Sequence, residues 1–302
     1  MTAATCALAV DLGGTKMEAA LVRADGTLVP GSRSRRPTGR AATPSDLRTA
    51  ITAIVAHAMA TLTASDELVG AGVGSAGPID RESGAIFPVN MPLAQGFGLA
   101  DAVRDAASAL AGREVPTVFG HDGGCLALAE SWRGATQGAR SSLSIVVSTG
   151  VGGGFVVGGQ YIAGASGNAG HLGQVRVASG LTLEEVASGP ASGAWAQTPG
   201  YAGEQGEALA RDAAAGDPVA RQAIERSATA VGKALADAAT LVDLDLVAIG
   251  GGFSRVSEDY IELVQEALAA SAAHDYSRRA RVVRSGLGDE GPLIGAAALI
   301  LR

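Results

Sequence analysis

The chain has 302 residues, 47% of them hydrophobic, and a formal net charge of -7 at pH 7. Its length suits two domains of ordinary size, and its apolar content is enough to build real cores, which excludes a disordered protein. The negative charge argues against binding to nucleic acid or to a membrane surface, since the nearest thing to a basic patch, Arg33 to Arg40, is short and lies among Ser, Pro and Gly.

Strands and helices alternate along the predicted secondary structure. Short apolar runs predict strands at 6–10, 17–22, 27–29, 69–74, 115–119, 143–147, 246–249 and 281–284, and another β-type run follows Gly154. Helical periodicity and capping residues predict helices at 44–62, 99–110, 125–134, 183–196, 204–215, 218–242 and 291–301, and one more from about residue 255. This alternation predicts an α/β protein, in whose sheets ligands bind beyond the carboxyl ends of the strands.

Glycine clusters follow three of the predicted strands, at 11–16, 148–154 and 250–252. Glycine lets backbone N–H groups approach a phosphate closely, and a nucleotide with several phosphates needs several such cradles. One glycine turn alone is more often structural, but the three together predict a nucleotide site. No G-x-x-x-x-G-K-[ST] motif occurs, which disfavours a P-loop enzyme. A Rossmann site is disfavoured as well, because the segment after Gly154 is β-like rather than helical.

These motifs resemble those of a known family. The 11–16 turn is similar to the first phosphate loop of the actin-like, ribonuclease-H-like sugar kinases, 148–150 to their second phosphate loop, and 249–252 to their adenosine-side turn. With Gly77-Pro78-Ile79-Asp80, Asn90, Asp122 and the glycine-rich stretch 149–173, nearly the whole chain resembles the ROK family of repressors, open reading frames and kinases.

The resemblance implies an actin-like ATPase fold of two α/β domains with a cleft between them. The N-terminal domain would comprise 1–119 plus 290–302, and the C-terminal domain 120–289. It also implies ATP and Mg²⁺ as cofactors, a homodimer, and a magnesium role through water for Asp11, which could otherwise be a turn-forming residue. The residues it assigns to the nucleotide are Asp11, Gly13, Gly14, Thr15, Lys16, Ser148, Thr149, Gly150, Gly152, Gly250, Gly251 and Gly252.

Asp122 occupies the position of the family's catalytic base. A sugar hydroxyl is a weak nucleophile, and a carboxylate within hydrogen-bond reach can accept its proton while the γ-phosphoryl group transfers. From the residues alone, Asp122 could equally be the cap of a helix that begins at Gly123.

The predicted sugar pocket departs from the family pattern. The residues that would read the sugar are Asn90, Asp122, His171, Gln174 and Glu184. Typical members carry Glu-x-Gly-His where this chain has His171-Leu172-Gly173-Gln174, followed by a zinc loop with three cysteines. Here no cysteine follows, and Thr182 stands where the last one would be, so we expect no structural zinc. His121 replaces the usual Asn before the base, and these exchanges should alter which sugar is accepted.

The resemblance thus implies an ATP-dependent kinase for the 6-hydroxyl of a glucose-like hexose or aminohexose. Kanosamine (3-amino-3-deoxyglucose) kinases of antibiotic pathways are one match for the altered sugar motif. The alternatives are a general glucokinase and a non-catalytic sugar-binding or sugar-sensing protein. Repressors of the family carry a DNA-binding segment before the first phosphate loop, whereas only ten residues precede Asp11 here.

The expected location is cytoplasmic. The N-terminus lacks a basic segment and reaches Asp11 after a few apolar residues, unlike a signal peptide. No apolar run approaches the roughly 18 residues that span a bilayer. Cys6 and Cys125 are too few for a disulfide framework, which suits a reducing compartment.

Overall fold

A computed structural model describes residues 4–177, 180–198, 200–203 and 206–302. The chain divides into two compact units. The first holds the chain up to Arg133, together with Tyr161–Ala169 and Leu287–Arg302, and the second holds Gly134–Gln160 and Gly170–Gly286. The first compact unit therefore extends past residue 119, where the sequence placed a domain boundary, and contains Asp122. The functional division into domains 1–119 plus 290–302 and 120–289 stays a prediction.

The described elements alternate much as the sequence predicts. The strands are β1 (Ala4–Leu12), β2 (Lys16–Arg23), β3 (Ser34–Pro37), β4 (Asp66–Ser75), β5 (Ile79–Asp80), β6 (Ala85–Ile86), β7 (Phe97–Gly98), β8 (Thr117–His121), β9 (Ser141–Val147), β10 (Val151–Val157), β11 (Gln160–Tyr161), β12 (Leu246–Gly250) and β13 (Arg281–Arg284). The α-helices are α1 (Pro44–Met59), α2 (Leu99–Ala111), α3 (Asp122–Arg133), α4 (Leu183–Ala187), α5 (Gly189–Gln197), α6 (Gly206–Ala214), α7 (Pro218–Val242), α8 (Tyr260–Ser271), α9 (Asp275–Arg278) and α10 (Gly291–Leu301).

The first unit is built on a five-stranded sheet in the order β3-β2-β1-β4-β8. Strand β1 shows how the sequence covers its two faces, because side chains alternate along a strand. Leu8, Val10 and Leu12 join the core that contains α1 and α2, whereas Ala7 and Ala9 pack with α10. Helix α10 lies so close to the sheet that a Cβ on Gly72 would collide with the backbone of the helix. The small residues on this face are therefore required by the close approach of α10.

The second unit is built on a sheet in the order β11-β10-β9-β12-β13. Its largest helix, α7, begins as predicted, with Asp217 as N-cap accepting the N–H groups of Val219 and Ala220 at 2.9 Å and with Pro218 in the first turn. Buried alanines along α7 and Gly232, where a Cβ would meet the backbone of α8, let these two helices pack closely.

Two predictions of local structure need correction. The predicted strand 27–29 is reduced to one bridge, Val22 to Leu28, and the third strand of the sheet is β3, in the arginine-rich stretch. The short sheet β5-β6-β7 was missed, because strands of two residues carry no recognisable period. Among the described residues, no helix has the length and apolar character needed to cross a membrane.

Candidate active site

Strands β1, β4 and β8 of the first unit end together at one edge of their sheet. The parallel register pairs Asp11 with Gly74 and Ser75 with His121, so Asp11 lies near the point where α3 begins at Asp122. Asp11 is only 8% exposed. Burial, then repulsion from Asp122 and Glu18, raises the pKa of Asp11 to about 7, although Lys16 opposes the shift.

The turn after β1 is closed by a hydrogen bond from the Gly13 N–H to the Lys16 carbonyl, at 2.8 Å. Asn90 packs directly on this turn, because a Cβ on Gly14 would collide with the Asn90 side-chain amide. The structure therefore brings a predicted sugar residue and predicted nucleotide residues together. Thr15, at the tip of the turn, is exposed.

Glu18 is a residue of this edge that the sequence analysis missed. It is 3% exposed and forms ion pairs of 2.6–2.8 Å with Lys16, Arg33 and Arg35. Although burial opposes the shift, hydrogen bonds from Lys16 and Arg33 hold the pKa of Glu18 below its ordinary value. Lys16, predicted to contact phosphate, is thus paired with a buried carboxylate. A glutamate within the apolar strand β2 was the available signal.

Asp122 lies at the start of α3 with its side chain 45% exposed. Its Oδ1 accepts the Gly123 N–H at 2.6 Å and lies 3.0 Å from Nε2 of the buried His121. The Asp122 carboxylate therefore contacts the first turn of α3 and is also partly exposed. Helix α3 begins at Asp122 itself, three residues before the predicted Cys125.

Two further side chains, Tyr161 and Cys125, lie at the first turn of α3. The Tyr161 ring packs on Gly124, where a Cβ would collide with the ring, and burial raises the pKa of the Tyr161 hydroxyl. Cys125 is fully buried, with Sγ near Gly74. Burial, and then the charges of Asp11 and Asp122, raise the pKa of the Cys125 thiol well above its ordinary value. Because it is buried and protonated more readily than a free thiol, Cys125 is a poor nucleophile.

The two glycine turns of the second unit lie against each other. In the turn between β9 and β10, the Ser148 N–H donates to the Gly150 carbonyl at 2.9 Å. The parallel register pairs Gly250, at the end of β12, with Val146. Gly251 has a φ of +94°, and a Cβ there would lie 2.5 Å from the Val147 carbonyl oxygen. Gly251 is thus required both by its left-handed backbone and by the close contact with β9.

Two glycines in these turns are not required by the packing. A Cβ on Gly152 would meet nothing within 4 Å, and one on Gly252 would make only an ordinary 3.6 Å contact with Ser148 Oγ. Neither residue has a positive φ. The space beside these backbones is therefore open for a ligand.

The predicted sugar residues of the second unit gather at the start of β10. Glu184 Oε2 accepts the Val151 N–H at 2.9 Å, and Gln174 Nε2 lies 3.5 Å from Oε1. The 3-10 turn Leu172–Gln174, which follows the half-buried His171, is pressed against β10, because a Cβ on Gly173 would collide with the Val151 carbonyl. The structure thus places His171, Gln174 and Glu184 around the beginning of this strand.

The described residues on either side of 178–179, where the sequence predicts no zinc loop, are held by backbone hydrogen bonds and a helix cap. The Val177 N–H donates to the Leu181 carbonyl at 2.8 Å, and Thr182 caps α4 in a capping box with Glu185. Residues 178 and 179, within this segment, lie outside the described residues. Over the described ranges, no group of three or more His, Cys, Asp or Glu side chains could hold a metal ion.

A depression of about 650 Å³ lies elsewhere in the second unit. It is lined by Gln137, Gly138, Ala139, Arg140, Asp243, Leu244, Asp245, Leu246, Tyr276, Arg279 and Arg281. These residues stand at the amino ends of β9, β12 and β13, opposite the glycine turns. Sheets of this class bind ligands at the carboxyl ends of their strands, so the depression does not coincide with the site that the sequence predicts.

Comparisons with known proteins match the chain over almost its whole length. Residues 7–302 match the family model described as ROK family. Over 281 residues the chain is 34% identical to an N-acetylmannosamine kinase of Escherichia fergusonii, covering 88% of this chain and 89% of the relative. A ROK hexokinase from Thermus thermophilus has a TM-score of 0.81 at 31% identity, covering 98% of this chain and 97% of that one. A ROK family glucokinase from Streptomyces griseus, in complex with glucose and AMPPNP, has a TM-score of 0.78 at 28% identity, covering 98% and 99%.

Proposed function

The chain belongs to the ROK family, and we propose that it is a kinase that transfers the γ-phosphate of ATP to the 6-hydroxyl of a glucose-like hexose or aminohexose. The observation that carries the proposal is a partly exposed carboxylate, Asp122, at the sheet edge of the first unit where the 11–16 glycine turn also begins. Sugar kinases among the relatives support it, namely those described as N-acetylmannosamine kinase, hexokinase and glucokinase.

Asp122 acts as the general base in this proposal. The sugar hydroxyl loses its proton to the carboxylate as its oxygen attacks the γ-phosphorus, and the bond to the β-phosphate oxygen breaks to release ADP. Helix α3 supports the carboxylate, because the Gly123 N–H holds one carboxylate oxygen in place.

The glycine turns hold the phosphates of ATP through backbone N–H groups. The open space at Gly152 and Gly252 fits this role, since the packing does not explain why these positions lack a side chain. Asp11 fits a cation, because its buried carboxylate lacks a compensating charge strong enough to keep its pKa low. Asp11 would hold Mg²⁺ through water, and the bound ion would supply positive charge to the phosphates.

Asn90, His171, Gln174 and Glu184 read the sugar in this proposal. Glu184 and Gln174 already contact each other at the start of β10. The exchange of the family's Glu and His for His171 and Gln174 favours a specialised substrate, and kanosamine is one member of the aminohexose class that we propose. The homodimer and the cytoplasmic location, both expected from the family and the sequence, belong to the same proposal.

A substrate panel tests the proposal. ADP release is measured with ATP and Mg²⁺ against glucose, mannose, glucosamine, kanosamine and N-acetylmannosamine, and the phosphorylated carbon of any product is identified by NMR. We expect turnover with at least one sugar, and phosphate on its C6 oxygen. Absence of ADP release with every sugar contradicts the kinase, and activity on glucose alone contradicts the specialised substrate. Parallel reactions with polyphosphate in place of ATP serve as the control for the identity of the phosphate donor.

A further inference from the structure

His121 is a buried polar residue that the proposed mechanism does not use. It ends β8 directly before Asp122, and it is 3% exposed. An imidazole so deeply buried has lost its contacts with bulk water, so its two ring nitrogens depend on the protein for hydrogen bonds. Both ring nitrogens lie near groups at the start of α3, where the proposed base stands.

The contacts of the ring define which nitrogen carries the proton. The Gly123 N–H donates to Nδ1 at 3.2 Å, in addition to its shorter bond to Asp122 Oδ1. A ring nitrogen that accepts a hydrogen bond is unprotonated, so the proton of the neutral imidazole is on Nε2. Nε2 is the nitrogen that lies 3.0 Å from Asp122 Oδ1. The Nε2–H group can therefore donate a hydrogen bond to the Asp122 carboxylate.

The two oxygens of Asp122 differ in their surroundings. Oδ1 lies against the Gly123 N–H and against His121 Nε2. Oδ2 has no hydrogen-bond partner among the described residues, and the side chain is 45% exposed. Oδ1 is therefore held by neighbouring groups, while Oδ2 remains available to a substrate.

We propose that His121 is a positioning residue for Asp122, holding Oδ1 through Nε2–H so that Oδ2 receives the proton of the sugar hydroxyl. The inference rests on the proposed kinase function. Without the His121 imidazole, the Asp122 carboxylate would rotate about its terminal side-chain torsion, which is broad and roughly two-fold. Oδ2 would then point at the sugar hydroxyl for less of the time. His121 acts through Asp122 and does not touch the sugar.

Substitutions of matched length provide the kinetic test. Gln carries an amide nitrogen as many bonds from Cα as Nε2 of His, whereas the Asn amide is one bond shorter. We expect His121→Asn and His121→Leu to lower kcat roughly 10- to 100-fold with little change in the KM for the sugar, and His121→Gln to recover most of the loss. His57→Leu is the matched control, because His57 is exposed on α1 and its Nε2 lies 3.0 Å from the Gly31 carbonyl, away from the start of α3 in the sequence. Its kcat should be unchanged.

A double-mutant cycle separates positioning from other roles. In an Asp122→Ala background, His121→Asn should cost nothing further, because the group it positions is gone. An additive loss, a rise in the sugar KM alone, or an unchanged kcat in His121→Asn overturns the proposal. If His121→Leu fails to fold, the Asn and Gln pair still decides the outcome.

The protonation state of the ring is measured without any substrate. Imidazole nitrogen chemical shifts of the substrate-free protein, assigned by comparison with His121→Gln, should show an Nε2–H tautomer at neutral pH. A proton on Nδ1 contradicts the proposed contact whatever the kinetics show. This measurement is independent of the sugar panel, so an enzyme inactive on every sugar would remove the kinase proposal without deciding the placement of His121.

Discussion

The two compact units present different chemistry at the carboxyl ends of their strands. In the first unit, carboxylates lie at these ends. They are Asp11 and Asp122, and Glu18 is close enough to Asp11 to repel its charge. The second unit presents mostly backbone, through the glycine turns at 148–154 and 250–252. A substitution at these carboxylates therefore changes the local charge, whereas one in the glycine turns changes the shape of the backbone surface.

The glycines of the second unit divide further. Packing requires glycine at 173 and 251, because a Cβ at either position would collide with neighbouring backbone atoms. Gly152 has open space beside it. Stability and ligand binding should therefore respond to different glycines within a few residues of each other.

The largest expected effect is on the carboxylate that we propose as base. Asp122→Asn keeps the shape of the side chain, and its oxygen can still accept the Gly123 N–H, but the amide cannot take a proton. We expect kcat to fall by about 10²- to 10⁴-fold. Steady-state kinetics on the best sugar of the panel measures this, with the thermal melt as the control for folding. A variant that keeps more than a tenth of the activity would show that Asp122 is not the base.

The second effect is on stability and depends on pH. The pKa of Asp11 is raised from 3.8 to about 7, so the folded state holds this proton more tightly than the unfolded state. The contribution of Asp11 to stability is full below its unfolded pKa and is lost as pH rises through about 7. Asp11→Asn does not titrate. We therefore expect its stability relative to wild type to rise from pH 4 to pH 7 and then level off, by on the order of a few kcal/mol.

Denaturant unfolding of both proteins without Mg²⁺, at pH 4.5 and pH 8, measures this difference. Subtraction removes the contributions of other carboxylates, whose pKa values are the same in both proteins to a first approximation. A difference that is independent of pH would show that Asp11 is not held as a strained carboxylate. Addition of Mg²⁺ should reduce the difference at pH 8, if the ion is held at Asp11.

The third effect belongs to a packed glycine. In Gly173→Ala the new methyl group would press on the Val151 carbonyl, and the 3-10 turn that carries Gln174 would have to move. Such overpacking costs about 1–3 kcal/mol. Denaturant unfolding measures the loss, and the KM for the sugar should rise as well, because His171 and Gln174 move with the turn. An unchanged unfolding midpoint would mean that the turn is not tightly docked on β10.

The smallest expected effect is at Gly152, the glycine with open space beside it. Gly152→Ala places a methyl group where nothing lies within 4 Å, so the free energy of unfolding should not fall. We expect the KM for ATP to rise about three- to tenfold, because a lengthened backbone hydrogen bond to phosphate is worth about 1 kcal/mol. Kinetics at saturating sugar tests this. An unchanged KM for ATP would remove Gly152 from the nucleotide site.

The fold was largely predictable because its signals are local. Helices α7 and α10 and strand β13 lie where capping residues and apolar periods predict them. The family resemblance is confirmed over residues 7–302, and the structural relatives have the expected actin-like ATPase fold. The glycine turns follow the strands that the sequence indicates, since glycine marks backbone positions directly.

What escaped prediction depends on contacts between distant segments. The Lys16–Glu18 pair forms beside Arg33 and Arg35 only because β3 pairs with β2 in one particular register. The contact between His121 and Asp122 depends on ring orientation in a buried corner, which residue order does not encode. The catalytic, nucleotide and sugar assignments stay predictions, although the structure does bring Asn90 to the 11–16 turn and Gln174 to Glu184.

The alanine face of β1 has a consequence for how the protein is made. That face is covered by α10, whose residues are synthesised only after the entire second unit. During translation the first unit can therefore cover this side of its sheet only after the residues of the second unit have been synthesised. A fragment ending at Arg133 would expose Ala7 and Ala9 to water. An isolated first unit would therefore have to be made by joining residues 161–169 and 287–302 to it through new connections.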